Sequence, residues 1–195
     1  MIALTGATGQ LGHYVLQDLL KTVPAGQIVA IVRNPAKAQT LSQQGVVVRQ
    51  ADYSDEAALT AALQGVDKLL LISSSEVGQR AVQHRNVINA AKAAGVKFIA
   101  YTSLLHADTS PLGLAAEHIA TEQMLADSGI AYALLRNGWY TENYLASAPP
   151  AGLADMLADS DVGASKGGLF DDSRTLSTLI GRPTTSLAES VKGIL

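Results

Sequence analysis

The sequence predicts an α/β protein: a doubly wound parallel sheet followed by a short helical C-terminal appendage. Three observations carry this. Six short apolar runs alternate with longer amphipathic stretches. The runs are nearly continuous in apolar character, as in Ile28-Val-Ala-Ile-Val32, Leu69-Leu-Leu-Ile72 and Phe98-Ile-Ala-Tyr101. Strands covered by helices on both faces need that pattern, and half-solvated antiparallel strands do not. Finally, Gly45, Gly65, Gly95 and Gly129 each precede a strand run, where glycine suits a left-handed helix end.

Taken in order, strands are expected at Met1–Thr5, Gln27–Arg33, Val46–Gln50, Lys68–Ser73, Lys97–Thr102 and Ala131–Arg136. Helices are expected between them, near 10–22, 35–44, 55–63, 78–94 and 113–128. Six β–α alternations of this kind make a doubly wound sheet. The pattern stops at Pro149–Pro150, which divides the chain into a nucleotide-binding part, 1–149, and a C-terminal part, 150–195. The latter holds no strand-like run. Short helices are expected at Gly152–Ala158, Asp172–Ile180 and Ser186–Leu195, joined by a Gly/Ser-rich stretch, Val162–Gly168.

Composition removes several classes of function. The chain has 195 residues, 48% hydrophobic and 16% charged, enough to bury a sizeable core and too apolar for wholesale disorder. A net charge of −3 argues against a nucleic-acid surface. Without cysteine there is no disulfide, thiolate nucleophile or cysteine-ligated metal. His13, His84, His106 and His118 are scattered and form no metal-ligand motif. No run reaches the roughly 18 apolar residues of a membrane helix, and the start Met1–Gly9 lacks the basic and apolar regions of a signal peptide. A cytoplasmic protein with neither a membrane partner nor a metal is expected.

The strongest motif is Gly6-Ala7-Thr8-Gly9-Gln10-Leu11-Gly12, directly after the first strand and opening a helix. Its first glycine permits a tight turn, its second lets backbone approach a pyrophosphate, and its third lets helix pack on strand. The helix N-terminus then offers N–H groups to the phosphates. No Gly-Lys-Ser/Thr follows, which excludes a P-loop. The second strand ends in Arg33, where an acidic residue would bind the ribose of NAD. A guanidinium suits the 2′-phosphate of NADP instead. Lys37 either adds charge to that site or faces solvent.

The other strand ends should line the same crevice. Asp52 either meets the adenine or caps the next helix with Ser54 and Asp55. Ser73, Ser74 and Ser75 follow strand four, beneath the expected nicotinamide ribose, and Thr102-Ser103 follow strand five. After strand six come Asn137-Gly138-Trp139-Tyr140-Thr141-Glu142-Asn143, suited to a nicotinamide and substrate rim. Trp139 and Tyr140 serve equally well as packing residues.

The glycine motif, Arg33 and the run from Ser128 to Gly138 together resemble the NmrA-like group of atypical short-chain dehydrogenases. The stretches from Gln50 to Arg80 and from His84 to Ala115 carry a closer likeness to the NADPH-dependent quinone reductases of that group, over Met1–Pro149. The resemblance implies a Rossmann-type domain, NADPH as cofactor and a small quinone as substrate. It assigns the cofactor to Gly6–Leu11, Arg33, Ser73–Ser75 and Asn137–Glu142, with Tyr140 and Asn143 on the substrate side. It assigns no catalytic residue, and some relatives in the group are NADP-sensing regulators without turnover.

Two departures stand out. The Tyr-x-x-x-Lys pair of short-chain dehydrogenases is absent: Leu114 stands at the tyrosine position and His118, expected on the helix surface, at the lysine position. Between Pro150 and Gly152 a family segment is missing, and the likeness resumes with the family's C-terminal end. The first departure suits quinones. Ketone reduction makes an alkoxide that needs a positioned proton donor. Quinone reduction makes a phenolate-like anion whose conjugate acid titrates near pKa ~10 and which water can protonate. The protein need only hold the two rings at about 3–3.5 Å.

Overall fold

The structure, a computed structural model, describes residues 1–140, 154–186, 189 and 192. Six strands form one sheet: β1 (Ile2–Leu4), β2 (Ile28–Val32), β3 (Val47–Gln50), β4 (Lys68–Leu71), β5 (Phe98–Leu104) and β6 (Ala131–Asn137). Their spatial order is β3-β2-β1-β4-β5-β6. The described pairings among β1 to β5 are all parallel: Ala3 lies between Val29 on one side and Leu69 on the other. The doubly wound, Rossmann-type fold expected from the sequence is therefore present, and the order of strands reverses between β1 and β4.

The helices are α1 (Gln10–Leu19), α2 (Gln39–Gln43), α3 (Glu56–Ala62), α4 (Arg80–Ala93), α5 (Ala115–Asp127), α6 (Ala154–Ser165) and α7 (Thr175–Ile180). The stretch expected as one helix over 35–44 is split. Pro35–Ala38 form a tight 3-10 turn, started by the Asn34 side chain accepting from the Ala36 N–H at 3.0 Å, and α2 follows. Proline near the start of a helical turn and an asparagine cap before it explain the break. A second 3-10 turn, Ala25–Gln27, leads into β2. Gly129, with φ of 76°, closes α5 in the conformation that favours glycine.

The chain divides into two compact units: Met1–Ser103 with Ala116–Leu135, and Leu104–Ala115 with Arg136–Leu195. In the first, two cores cover the two faces of the sheet. One joins Leu59, Leu63, Val87, Ala91 and Leu125 to Val29, Leu69, Leu71 and Ile99. The other joins Leu16, Ala38 and Val46 to Leu4, Ala30 and Val32. Each large aliphatic side chain sealed in this way contributes about 1.5–3 kcal/mol.

In the second unit Leu104, Ala107, Leu112, Leu114 and Ala115 cluster, with Trp139 and Leu169 packed against them. The helix expected at Gly152–Ala158 runs on into the Gly/Ser-rich stretch and ends at Ser165. Gly163 explains this: a Cβ there would collide with the Leu112 side chain, so glycine is what lets helix meet loop. The Gly113 N–H also donates to Asp159 Oδ2 at 3.0 Å. The helix expected at 186–195 lies almost wholly outside the described residues.

Candidate cofactor site

The ends of β1, β2 and β4 open onto one cavity of about 430 Å³. Gly6, Thr8, Gly9, Gln10, Leu11 and Gly12 form one wall. Arg33 and Lys37 come from beyond β2, and Ser73, Ser74, Ser75 and Glu76 from beyond β4. Tyr53 and Ile72 close it between them. The sequence-predicted residues on β1, β2 and β4 thus meet, with one exception. Ala7 packs into the core beside Leu4 and Leu16, and faces a second hollow of about 270 Å³ instead.

The glycine turn is built by sterics. Gly6 has φ of 62°, and its carbonyl accepts from the Gly9 N–H at 2.9 Å. A Cβ on Gly12 would collide with that carbonyl and stand 2.8 Å from Ala7 Cα, so α1 can approach β1 only with glycine there. Gly9 is the cap of α1 and supplies no side chain to its first turn. The first-turn N–H groups therefore have no side-chain cap, as a phosphate-binding helix start requires. A glycine cradle, capless helix start and guanidinium suit the donor set a dinucleotide phosphate needs.

The loop after β4 is held from beneath by α4. Arg80 Nε donates to the Ser74 carbonyl at 2.6 Å, and the Ser74 N–H donates to His84 Nε2 at 2.9 Å. Ser74 Oγ donates to Gln83 Oε1. The Ser73 N–H donates to Thr102 Oγ1 at 2.8 Å, which is how the end of β5 serves the site. Arg80, buried, pairs with Glu117 on α5 at 3.2 Å. Desolvation pulls the guanidinium below its usual range while Glu117 opposes the shift.

His84 accepts a backbone N–H at Nε2, so its ring is neutral and Nδ1 carries the proton toward Thr121 Oγ1 at 3.0 Å. Burial, with Arg80 and His118 nearby, drives its pKa down to about 3. His118 is not on the helix surface as expected. It is 5% exposed, with Nδ1 2.6 Å from the Tyr101 hydroxyl, and burial lowers its pKa to about 4. The tyrosine–histidine pair is sealed, since Tyr101 is 0% exposed.

Asp52 resolves toward local structure. Its carboxylate accepts from the Ser54 N–H at 2.8 Å and from Ser54 Oγ at 2.5 Å, which hold its pKa below the usual value. Asp55, at 2.9 Å from the Ala58 N–H, caps α3. Tyr53 does line the cavity. Its hydroxyl donates to the Ile72 carbonyl at 2.8 Å, and burial pushes its pKa up to about 12. Ser103 is occupied with Glu122 at 2.6 Å.

Sequence reasoning missed Glu76 and the grip on Ser74. The signal was there: Arg80, Gln83 and His84 are polar side chains three and four apart, a polar stripe on a helix that covers a sheet. In the second unit, Asn137 Nδ2 donates to the Tyr140 hydroxyl at 3.0 Å, and Arg136 pairs with Asp108 at 3.0 Å. Gly138 lies near Leu105 and Leu169. Trp139 packs in its unit's apolar cluster, whereas Tyr140 is exposed. Thr141, Glu142 and Asn143 lie outside the described residues. No helix among the described residues is long and apolar enough to cross a membrane.

Comparison with known proteins agrees with this geometry. The NAD(P)H-binding family model matches residues 6–158. Quinone oxidoreductase 2 of Escherichia coli (strain K12) is 59% identical over 278 aligned positions, covering 98% of this chain and 97% of that protein. The alignment is longer than the 195-residue chain, so that relative carries residues within the matched span that have no counterpart here. An NAD(P)H azoreductase of Xenophilus azovorans is 33% identical over 74% of this chain and 50% of its own length. The crystal structure of the NADPH-dependent quinone oxidoreductase from Escherichia coli complexed with NADPH matches with a TM-score of 0.95 at 58% identity, covering 100% and 99% of the two chains. The Citrobacter sp. triphenylmethane reductase complexed with NADP(H) matches with a TM-score of 0.91 at 32% identity, covering 100% and 99%. With its glycine cradle beside the sheet's reversal point and Arg33 at the end of β2, this chain belongs to the NAD(P)H-binding family.

Proposed function

We propose that the chain is an NADPH-dependent oxidoreductase that reduces quinones. The observation that carries this is a glycine cradle opposite Arg33 in a chain 59% identical to a quinone oxidoreductase across 97% of that protein's length. Bound NADPH supplies the hydride. Gly6, Thr8, Gly9, Gln10 and Leu11 would hold the pyrophosphate, Ala7 shaping the turn from beneath. Arg33 would pair with the 2′-phosphate, and Ser73–Ser75 would carry the ribose on the nicotinamide side.

Residues 1–149 supply this cofactor site, and the shortened region 150–195 belongs to the substrate side. By the family resemblance, Asn137–Glu142 would serve the nicotinamide and Tyr140 with Asn143 the quinone. No side chain is assigned a proton-transfer role. Tyr101 and His118 are sealed, and the hydroquinone anion can take its proton from water near pKa ~10.

Steady-state oxidation of NADPH with a small benzoquinone or naphthoquinone is the direct test. Absorbance loss that needs both protein and quinone supports an enzyme. Tight NADPH binding without turnover on any quinone would overturn the catalytic reading and leave a cofactor-sensing protein.

A further inference from the structure

The guanidinium expected to read the 2′-phosphate already has a partner. Arg33 Nη1 donates to Glu76 Oε1 at 2.9 Å. Both residues line the same cavity and both are well exposed, so the pair sits where a cofactor must enter. Glu76 does not depend on Arg33 for its place. Its other oxygen, Oε2, accepts from Gln83 Nε2 at 2.7 Å, and its N–H donates to Ser74 Oγ at 3.2 Å. Gln83 is buried and also takes the Ser74 hydroxyl, so the carboxylate is tied to the frame of α4.

We propose that Glu76 is a specificity-determining residue: an anchored internal competitor that occupies Arg33 and narrows the preference for NADPH over NADH. The proposal rests on the reading of Arg33 as the 2′-phosphate partner. A phosphate monoester, close to doubly charged at pH 7, must take the guanidinium from the carboxylate. Gln83 keeps that carboxylate close by afterwards, where like charges repel. NADH leaves the Arg33–Glu76 pair intact and meets no such cost. Glutamine at 76 still offers an oxygen to Gln83 but no longer competes as an anion.

The test measures dissociation constants for NADPH and NADH by fluorescence in four proteins: the parent, Glu76→Gln, Arg33→Ala and the double variant. Cofactor-free melting temperatures confirm that each is folded. Glu76→Gln should tighten NADPH about two- to fivefold, the range of an exposed ion pair, and move NADH by less than about twofold. In the Arg33→Ala background the gain should shrink to the part that direct repulsion supplies. Weaker or unchanged NADPH binding by Glu76→Gln would overturn the proposal, as would equal tightening of both cofactors. A gain that persists in full without Arg33 would overturn it too, reducing Glu76 to a plain repulsive charge. Those outcomes leave the Arg33 reading standing. If Arg33→Ala leaves the NADPH-to-NADH ratio unchanged, both fall together.

Discussion

Mild acid should destabilise this protein through two histidines. His84 and His118 are buried neutral rings whose folded pKa values lie near 3 and 4, against an ordinary value of 6.5. The unfolded chain therefore takes up protons below pH 6.5 that the folded chain refuses. Stability is complete above that value and is lost as pH falls through it toward the folded pKa values. Between pH 7 and pH 5 about 1.5 pH units act on each ring at about 1.36 kcal/mol per unit, or roughly 2 kcal/mol each. Together they remove about 4 kcal/mol from a total that for such domains is about 5–15 kcal/mol. Asp67, held down to about 2 by Lys97 and the terminal ammonium, loses its contribution only below about pH 4, outside this window. Urea denaturation at pH 7, 6 and 5 reads the effect directly. His84→Gln and His118→Gln should each remove about half of the pH dependence, since a glutamine carbonyl can still accept the Ser74 N–H or the Tyr101 hydroxyl. Ring nitrogen shifts from NMR should show His84 neutral, with its proton on Nδ1, at pH 5. A flat stability profile from pH 7 to 5, or a protonated His84 ring at pH 5 in the folded protein, would refute the reasoning.

Three further outcomes follow from the site. Arg33→Ala should weaken NADPH about tenfold to a hundredfold and leave NADH nearly unchanged, the loss of a charge-assisted contact of roughly 1.5–3 kcal/mol, read by fluorescence titration. Gly9→Val and Gly12→Ala should separate binding from folding. A Cβ on Gly9 stands 3.3 Å from the Gly6 carbonyl, a tight contact that a small shift relieves, so the valine variant should stay folded with a lowered melting temperature yet lose NADPH by about a hundredfold or more. The Gly12 variant, with its Cβ 2.8 Å from Ala7 Cα, should lose about 3 kcal/mol before any ligand is added. Arg80→Met should cost about 3 kcal/mol, because Glu117 and the Ser74 carbonyl lose a buried cation, and adding Glu117→Gln should restore part of it in thermal melts.

The sheet was legible because its determinants are local. Ile28–Val32 came within a residue at each end of its expected bounds, and the glycines after α2 to α5 announced each return to a strand. Where side chains from distant segments decide, the sequence said less. His118 has polar neighbours on α5, and its burial is set by Tyr101 on β5, seventeen positions away. Asp52 could have faced a ligand, and Ser54 two residues on claimed it. Helix α6 extends into a glycine-rich stretch, where Gly163 leaves the room that Leu112 fills. Glu76 and Arg33 are 43 positions apart, and only the reversal of strand order at β1 and β4 brings their strand ends to one opening.

The loop after β4 owes its path to α4 and β5 more than to its own letters. Ser73 and Ser74 are fixed through their main-chain groups by Thr102, Arg80 and His84. Ser75 and Glu76, by contrast, are exposed at the rim. Sequence drift therefore has unequal consequences across a few neighbouring codons. On the reading proposed for Glu76, a change at the rim retunes which nucleotide is favoured while the buried contacts beneath it stay in place. The stripe of Arg80, Gln83 and His84 has no such freedom, since each change there bends the loop and unseats a buried charge or ring. Selection on cofactor economy can act here one surface substitution at a time, while the helix underneath is held constant by folding itself.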